Sequence, residues 1–282
     1  MNWFLLSIVS VITLAISNLL QRVLMRDEKS NVIAYSLMFQ LISAVLIGLF
    51  AFARGFVMPS IQELWLNFVL ITVLYAVGTL FLFKALQNIE ASESAIITSS
   101  RALWTIAVAL IFLGESFDLV KTIGVILILG SIVLVSLKRE VIRFNKGILY
   151  ALSSAFCYGV AFANDTFILR QSDALSYATL AFLFPGLFVL VIKPRILTEM
   201  KTLLNKPVLS KMVLLGLFYS TSAITIYLAY QRGGTASQLA PISQSVVILT
   251  FLLAAIFLSE RSQLLRKFAG AIMATIGVLL LR

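Results

Sequence analysis

The 282-residue chain has no histidine, one cysteine and five prolines. Without imidazole the usual nitrogen ligands for zinc are missing, so neither a metal nor another cofactor is expected. A single thiol rules out an intrachain disulfide, and Cys157, alone inside an apolar run, reads as a small packing residue. Charged residues make up only 12% of the chain, against about 25% in ordinary soluble domains. There is no phosphate-cradling glycine loop and no hydrophilic stretch long enough for a nucleotide domain, which excludes an ATP-driven pump within this chain. An enzyme needs a nucleophile and base, or metal ligands, facing one another, and the raw material for that is thin here. The chain is therefore read as a non-enzyme.

What is abundant is apolar: 61% of residues are hydrophobic and the mean hydropathy is +1.04. The apolar residues fall in repeated runs of about 20, the length a helix needs to cross a bilayer. Because the runs are apolar throughout rather than alternating, a β-barrel does not fit. The expected fold is an all-α integral membrane protein with ten transmembrane helices, near 3–23, 32–53, 64–86, 92–113, 118–137, 147–169, 175–192, 210–230, 236–258 and 264–281. The first run, "MNWFLLSIVSVITLAISNLL", has no basic region ahead of it and reads as a retained span rather than a cleaved signal. A net charge of +10 would suggest nucleic acid in a soluble protein. Here most Lys and Arg sit in short connections, where they set orientation instead.

One basic segment, "SLKREVIRFNKG" (136–147), divides the chain almost in half, and the halves align. "LYAVGTLFLFKALQ" (74–87) lies over "FYSTSAITIYLAYQ" (218–231), pairing Tyr75 with Tyr219, Ala85 with Ala229 and Gln87 with Gln231. "ALIFLGESFDLVKTIG" (109–124) lies over "AAIFLSERSQLLRKFAG" (254–270), pairing Glu115 with Glu260 and Gly124 with Gly270. Five spans per repeat is an odd number, so the second half (141–282) must enter from the opposite face to the first (1–140), giving two inverted five-helix repeats.

This pattern resembles the drug/metabolite transporter superfamily, in particular its ten-helix EamA-like branch. The resemblance rests on the five-plus-five arrangement, on Gly114–Glu115 closing span four and on the degenerate Ser259–Glu260 closing span nine. It covers nearly the whole chain and implies a central cavity surrounded by spans one, three, four, six, eight and nine. It implies transport without fixing the substrate. Small multidrug exporters of the same superfamily carry a glutamate midway along span one; span one here has no acid, which argues against that proton exchange and against lipophilic cations.

The odd-numbered connections hold 16 Lys and Arg, and the even-numbered ones with the C-terminus hold 5. The positive-inside rule then puts the odd connections in the cytoplasm and both termini outside, whereas the resemblance implies termini inside. We follow the charge count.

The candidate site begins with Arg101, midway along span four. An arginine facing lipid costs about 2.5–3.5 kcal/mol there, so it should face protein, water or ligand. Helical spacing puts Ser94, Thr98, Arg101 and Thr105 on one stripe, with Trp104 beside it as an aromatic wall. Span six repeats the spacing at Ser154, Tyr158, Ala161 and Asp165, and span one at Ser10, Leu14, Ser17 and Gln21. In span nine, Ser237, Pro241 and Gln244 form a comparable face, and Pro241 frees a backbone carbonyl. A dehydrated guanidinium selects a carboxylate, phosphate or other oxyanion; the other reading of Arg101 is a latch on carbonyls of the opposite half. Substrate binding is assigned to Arg101, Trp104, Thr98, Tyr158, Gln244, Tyr75 and Ser17; Tyr219 and Tyr227 are read either as further hydroxyls for a ligand or as rings that fill space. Asp165 lies about 10 Å along its helix from midspan, near the rim. It is either a proton-coupling carboxylate or an ordinary aspartate solvated at the helix end. Glu115 and Glu260 read as structural, each favouring the positive end of the helix that follows it. Pro185 and Gly186 are expected to kink span seven, and Gly48, Gly124 and Gly130 mark close helix contacts.

Together these readings give a secondary active transporter working by alternating access, an exporter of small polar or amphipathic metabolites that bear a carboxylate, such as amino acids or organic anions. Its expected partners are that small molecule, the lipid bilayer and protons as coupling ion, with no nucleic acid. It is expected in the cell (inner or plasma) membrane as a multi-pass monomer or weak homodimer. A channel, a scaffold or a membrane-embedded enzyme without carrier activity is the alternative. In the repeat, Val246 falls where Arg101 does, so the guanidinium is not something both halves need in order to fold.

Overall fold

The structure is a computed structural model and describes residues 2–26, 30–113, 118–138, 141–142, 145–169, 171–203, 206–233 and 236–281. Its helices are α1 (Trp3–Met25), α2 (Val32–Ala53), α3 (Trp65–Asn88), α4 (Ala91–Thr98), α5 (Arg101–Leu113), α6 (Leu119–Ser136), α7 (Lys146–Leu169), α8 (Ala174–Ile192), α9 (Ile196–Leu203), α10 (Lys206–Gln231), α11 (Ala236–Phe257) and α12 (Leu264–Leu280). The basic segment between the halves closes a minimal antiparallel hairpin, β1 (Leu137–Lys138) on β2 (Val141–Ile142).

Six of these helices are long and apolar enough to cross a membrane: Trp3–Met25, Val32–Ala53, Trp65–Asn88, Lys146–Leu169, Ala174–Ile192 and Pro207–Gln231. Leu119–Val135 and Ile242–Phe257 are shorter apolar helices, and the expected fourth span is two helices rather than one. Helix starts are set by short polar side chains. Asn2, Asn31, Asp118, Asn145 and Asp173 accept the main-chain N–H of Leu5, Ala34, Lys121, Ile148 and Ser176 at 2.8–3.1 Å, satisfying donors that the first helical turn leaves open.

Packing runs α3 on α7, α1 on α10, α6 on α12 and α2 on α8, with α11 on α1 and α5 on α7. Close approaches carry small residues. A Cβ at Gly124 would stand 2.8 Å from the Gly277 carbonyl, one at Gly130 would stand 2.9 Å from Met273, and one at Gly48 would stand 3.0 Å from Thr179. Those three glycines are the close contacts the sequence suggested. Cys157 is buried on the α3 seam, its Cβ 3.0 Å from where a Gly78 side chain would begin. The α8 helix runs unbroken through Pro185 and Gly186, and Gly186 lies against Leu41 of α2.

The end of the bundle that carries the β1–β2 hairpin is called the linker face below. An aromatic cluster fills the interior between α2, α3, α8 and α10: Phe39 meets Tyr219 edge to face at 4.9 Å, and Phe182 meets the same ring at 5.3 Å. The short helix α9 is amphipathic and docks on α2, with Ile196 buried and Glu199 accepting from Asn31 at 2.7 Å and pairing with Lys193 at 3.0 Å. Lys193 and Asn31 hold that carboxyl below the usual carboxylate range.

Candidate functional site

Arg101 opens α5 at a discontinuity, Ser99–Ser100, that separates it from α4. Three successive hydroxyls compete with the helical ladder there. Thr98 donates to the Ser94 carbonyl at 2.7 Å, Ser99 to Ile96 at 2.6 Å and Ser100 to Ile97 at 2.7 Å, a local bonding pattern that bends helices. The amides of Ala102 and Leu103 reach only three residues back, to Ser99 and Ser100, which is the tighter 3₁₀ spacing. Thr105 then donates to both the Arg101 carbonyl (3.1 Å) and the Gly159 carbonyl (3.0 Å), pinning α5 to α7. Gly159 is obligatory, because a Cβ there would collide with the Arg101 carbonyl oxygen and lie 2.6 Å from the Trp104 Cβ.

The main chain of Arg101 is thus held rigidly while its side chain is exposed. Among the described residues the guanidinium makes no hydrogen bond and no ion pair, so no latch across the halves is seen. The polar stripe expected around it is divided. Thr98 and Thr105 direct their hydroxyl donors to main-chain carbonyls, and Ser94 is buried. Trp104 is 41% exposed and stands edge to face on Phe156 at 4.9 Å. Phe156 lies two residues before Tyr158, on roughly the opposite side of α7, so the structure does not bring Trp104 to the Tyr158 stripe.

The span-six stripe holds together. Ser154 donates to the Gly78 carbonyl at 2.9 Å, the Tyr158 and Thr79 hydroxyls share a hydrogen at 3.0 Å, and Ala161 is fully buried. At its end Asp165 accepts hydrogen bonds from the hydroxyls of Tyr75 on α3 and Tyr177 on α8. Asp165 is only 7% exposed, which corrects the reading of a solvated aspartate at the helix end. Tyr75 tilts against Tyr158 with ring centroids 5.8 Å apart.

On α1, Ser10 donates to the Ser222 carbonyl of α10 at 2.9 Å. Ser17 is fully buried with its hydroxyl unpartnered, Gln21 is buried and Gln244 on α11 is half-buried. The side chains of Ser237 and Pro241, and the whole of Glu115, lie outside the described residues.

Glu260 is structural in a way the sequence did not indicate. Its carboxylate does not face α12, the helix that follows it. It accepts from the amides of Ala91 (3.2 Å) and Ser92 (3.4 Å), at the start of α4, and pairs with Arg22 of α1 at 3.3 Å. Ser259 makes this reach: its φ of 57° is the left-handed conformation that favours glycine, and it turns the chain out of α11. Beside it Lys267, 1% exposed, pairs with Glu90, donates to the Ser262 hydroxyl at 2.9 Å and stands 4.0 Å from Glu93. Sequence reasoning missed this cluster and Tyr177. It also missed Ser36, Gln40 and Ser43, a buried stripe on α2 whose i, i+4, i+7 spacing was open to view. No group of three or more Cys, Asp or Glu positioned to hold a metal ion is found among the described residues.

Comparison with known proteins gives one family. A model described as the EamA-like transporter family matches residues 1–137 and again residues 145–282. No curated protein matches. A solved structure titled only "Crystal structure of protein" is 17% identical, with a TM-score of 0.65 over 100% of this chain and 98% of that one; at that identity the likeness is one of fold.

Proposed function

The chain belongs to the EamA-like transporter family, whose members are transporters and not enzymes, and from that premise we propose that it is a secondary carrier of small carboxylate-bearing metabolites. It is a multi-pass membrane protein. The observation that carries the finer reading is Arg101: a guanidinium on a pinned backbone, at a break between two helices, with no partner among the described residues. A charge kept there without an internal counter-ion is held for an anionic ligand. Carboxylates fit its planar fork.

The same reading treats residues 1–140 and 141–282 as inverted repeats that rock about this site. Three observations support it. The family model matches twice, once in each half. Exchanging α1 with α7, α2 with α8, α3 with α10, α4–α5 with α11 and α6 with α12 maps the main helix contacts onto themselves. The Ser154–Gly78 hydrogen bond recurs as Ser10–Ser222, 144 residues on at each partner and again at 2.9 Å. Export across the plasma (inner) membrane, with protons as coupling ion, odd connections in the cytoplasm and a monomer or weak homodimer as the unit, completes the proposal. A channel, a scaffold or an embedded enzyme has no observation in its favour.

Counterflow in proteoliposomes tests it. Labelled substrate should exchange across a sealed membrane and saturate. Arg101→Ala should lower affinity roughly a hundredfold, the loss of a charge-assisted contact of about 3 kcal/mol. Unsaturable leak would remove the carrier, and unchanged exchange by a folded Arg101→Ala variant would remove the ligand role.

A further inference from the structure

Each half of the chain builds the same buried cluster where its first helix ends. In one, Leu24 of α1, Tyr35 of α2 and Met212 of α10 pack with Tyr219; in the other, Ile168 of α7, Tyr177 of α8 and Phe68 of α3 pack with Tyr75. The matched residues stand 144 positions apart, or 142 for Tyr35 and Tyr177. Each of those two tyrosines donates its main-chain N–H to the carbonyl of the residue that caps its helix, Asn31 at 3.0 Å and Asp173 at 2.9 Å. The Ser10–Ser222 and Ser154–Gly78 hydrogen bonds set α1 and α7 in the same register. In that register Asp165 answers to Gln21, and both are buried.

A carboxamide fills this position in the first half, so the packing of the cluster does not call for a charge. The second half keeps a carboxylic acid there, which accepts from the Tyr75 and Tyr177 hydroxyls and has no ion pair among the described residues. The other ionisable side chains of α7 and of the helices packed on it are placed or engaged elsewhere. Lys146 opens α7 at the linker face, Lys84 of α3 stands over Tyr150, Glu93 of α4 is 4.0 Å from Lys267, the Tyr158 hydroxyl meets Thr79, and Arg101 of α5 makes no ion pair. An ion held away from water without a counter-charge is costly, and two phenols do not neutralise it. What an acid can do at this place and an amide cannot is take up a proton and give it back.

We propose that Asp165 carries the coupling proton, with Tyr75 and Tyr177 as positioning residues. This rests on the carrier reading, and the step is a proton transfer alone. A hydronium ion gives up a proton and becomes water, an O–H bond forms on one carboxyl oxygen and the negative charge is lost; release to water is the reverse. A protonated carboxyl oxygen is a donor, so the phenol facing it must turn its own hydrogen away and accept instead. Protonation therefore rewrites the contact of α7 with α3 or with α8. Asp165 lies four residues before the end of α7, toward the face opposite the hairpin. The charge count puts that face outside, the side from which a proton is drawn in exchange for an exported metabolite.

The test uses the full-length protein in liposomes and two readouts, one of which needs no transported molecule. Infrared difference spectra between alkaline and mildly acidic buffer should show, in wild type, the carbonyl stretch of a protonated carboxylic acid that Asp165→Gln, patterned on Gln21, removes. Tyr177→Phe leaves the carboxyl in place and should move the pH midpoint of that band; it stands in if Asp165→Gln does not fold. Labelled succinate and labelled L-glutamate are the transport probes. Wild type should exchange at least one of them. With the membrane potential clamped and the lumen more acidic by about one pH unit, it should accumulate that probe about tenfold, the equilibrium ratio for one proton exchanged per molecule. Asp165→Gln should keep the exchange and lose the accumulation. A band that neither variant alters makes Asp165 a permanently charged staple between α3, α7 and α8 and overturns the proposal while leaving the carrier intact. Wild-type exchange that ignores the pH gradient overturns it too, as does an Asp165→Gln variant that lacks the band and still accumulates the probe. Exchange of neither probe by wild type removes the carboxylate carrier itself, and the coupling role with it.

Discussion

Two sets of charges lie inside this bundle and are treated in opposite ways. At the linker face Arg22, Glu90, Glu260 and Lys267 tie the ends of α1 and α11 and the starts of α4 and α12 together. Away from that face, among the described residues, exposed Arg101 makes no ion pair and buried Asp165 is met by the hydroxyls of Tyr75 and Tyr177. The first set ties the fold together, since Glu260 and Lys267 are buried, Arg22 and Glu90 are half-buried, and removal of one leaves its opposite stranded. Arg101, exposed and unpaired among the described residues, adds little to stability, and such a charge persists only if something else requires it.

Lys267→Met strands Glu90 and should cost about 3–5 kcal/mol of unfolding free energy, read as a lowered midpoint in detergent. Arg101→Met should change the same midpoint by the equivalent of less than about 1 kcal/mol. Equal losses at the two positions would erase the distinction. Glu260→Gln comes next: it keeps the shape but removes the charge that faces the α4 N-terminus and Arg22, for about 2 kcal/mol.

Smaller effects sharpen the symmetry rather than the charges. Ser154→Ala and Ser10→Ala each delete the same repeated hydrogen bond, and each should cost about 0.6 kcal/mol; a clear inequality would mean that the two repeats are not energetic equivalents. Least of all is the contact of α9 with α2. Because the Glu199 carboxyl is held below its ordinary value of 4.5, its contribution is complete above about pH 4.5 and fades as pH falls through the lowered value. The protection of the Ile196–Leu203 amides from hydrogen exchange, taken relative to the intrinsic rate at each pH, should therefore fall on acidification, and Glu199→Gln should abolish that loss of protection.

Much of the fold could be read from the sequence because a bilayer imposes a length on every crossing and collects Lys and Arg in the connections. The helices from Val32, Ala174 and Ala236 begin within a residue of where the apolar runs do. The break at Ser99–Ser100 could not be read, since serine and threonine are ordinary residues of membrane helices and only their bonds to carbonyls reveal the bend. The short α9 falls below any length criterion. In the site, Arg101 and the Ser154–Tyr158–Asp165 stripe were visible from spacing. The burial of Asp165 was not, because counting residues from midspan locates depth along a helix and says nothing about Tyr75 and Tyr177 arriving from two others. Glu260 was misjudged for a similar reason: its partner helix begins 169 positions earlier in the chain, and a rule about neighbouring helices favours the local one.

The α6–α12 seam has a practical use of its own. A Cβ at Gly124 would stand 2.8 Å from the Gly277 carbonyl and one at Gly270 would stand 2.7 Å from Val135, so the two helices pack too closely to slide past each other. They form a fixed ruler within the molecule, and spin labels at Ile126 and Ile276, both exposed, provide an origin from which the positions of the other helices can be measured.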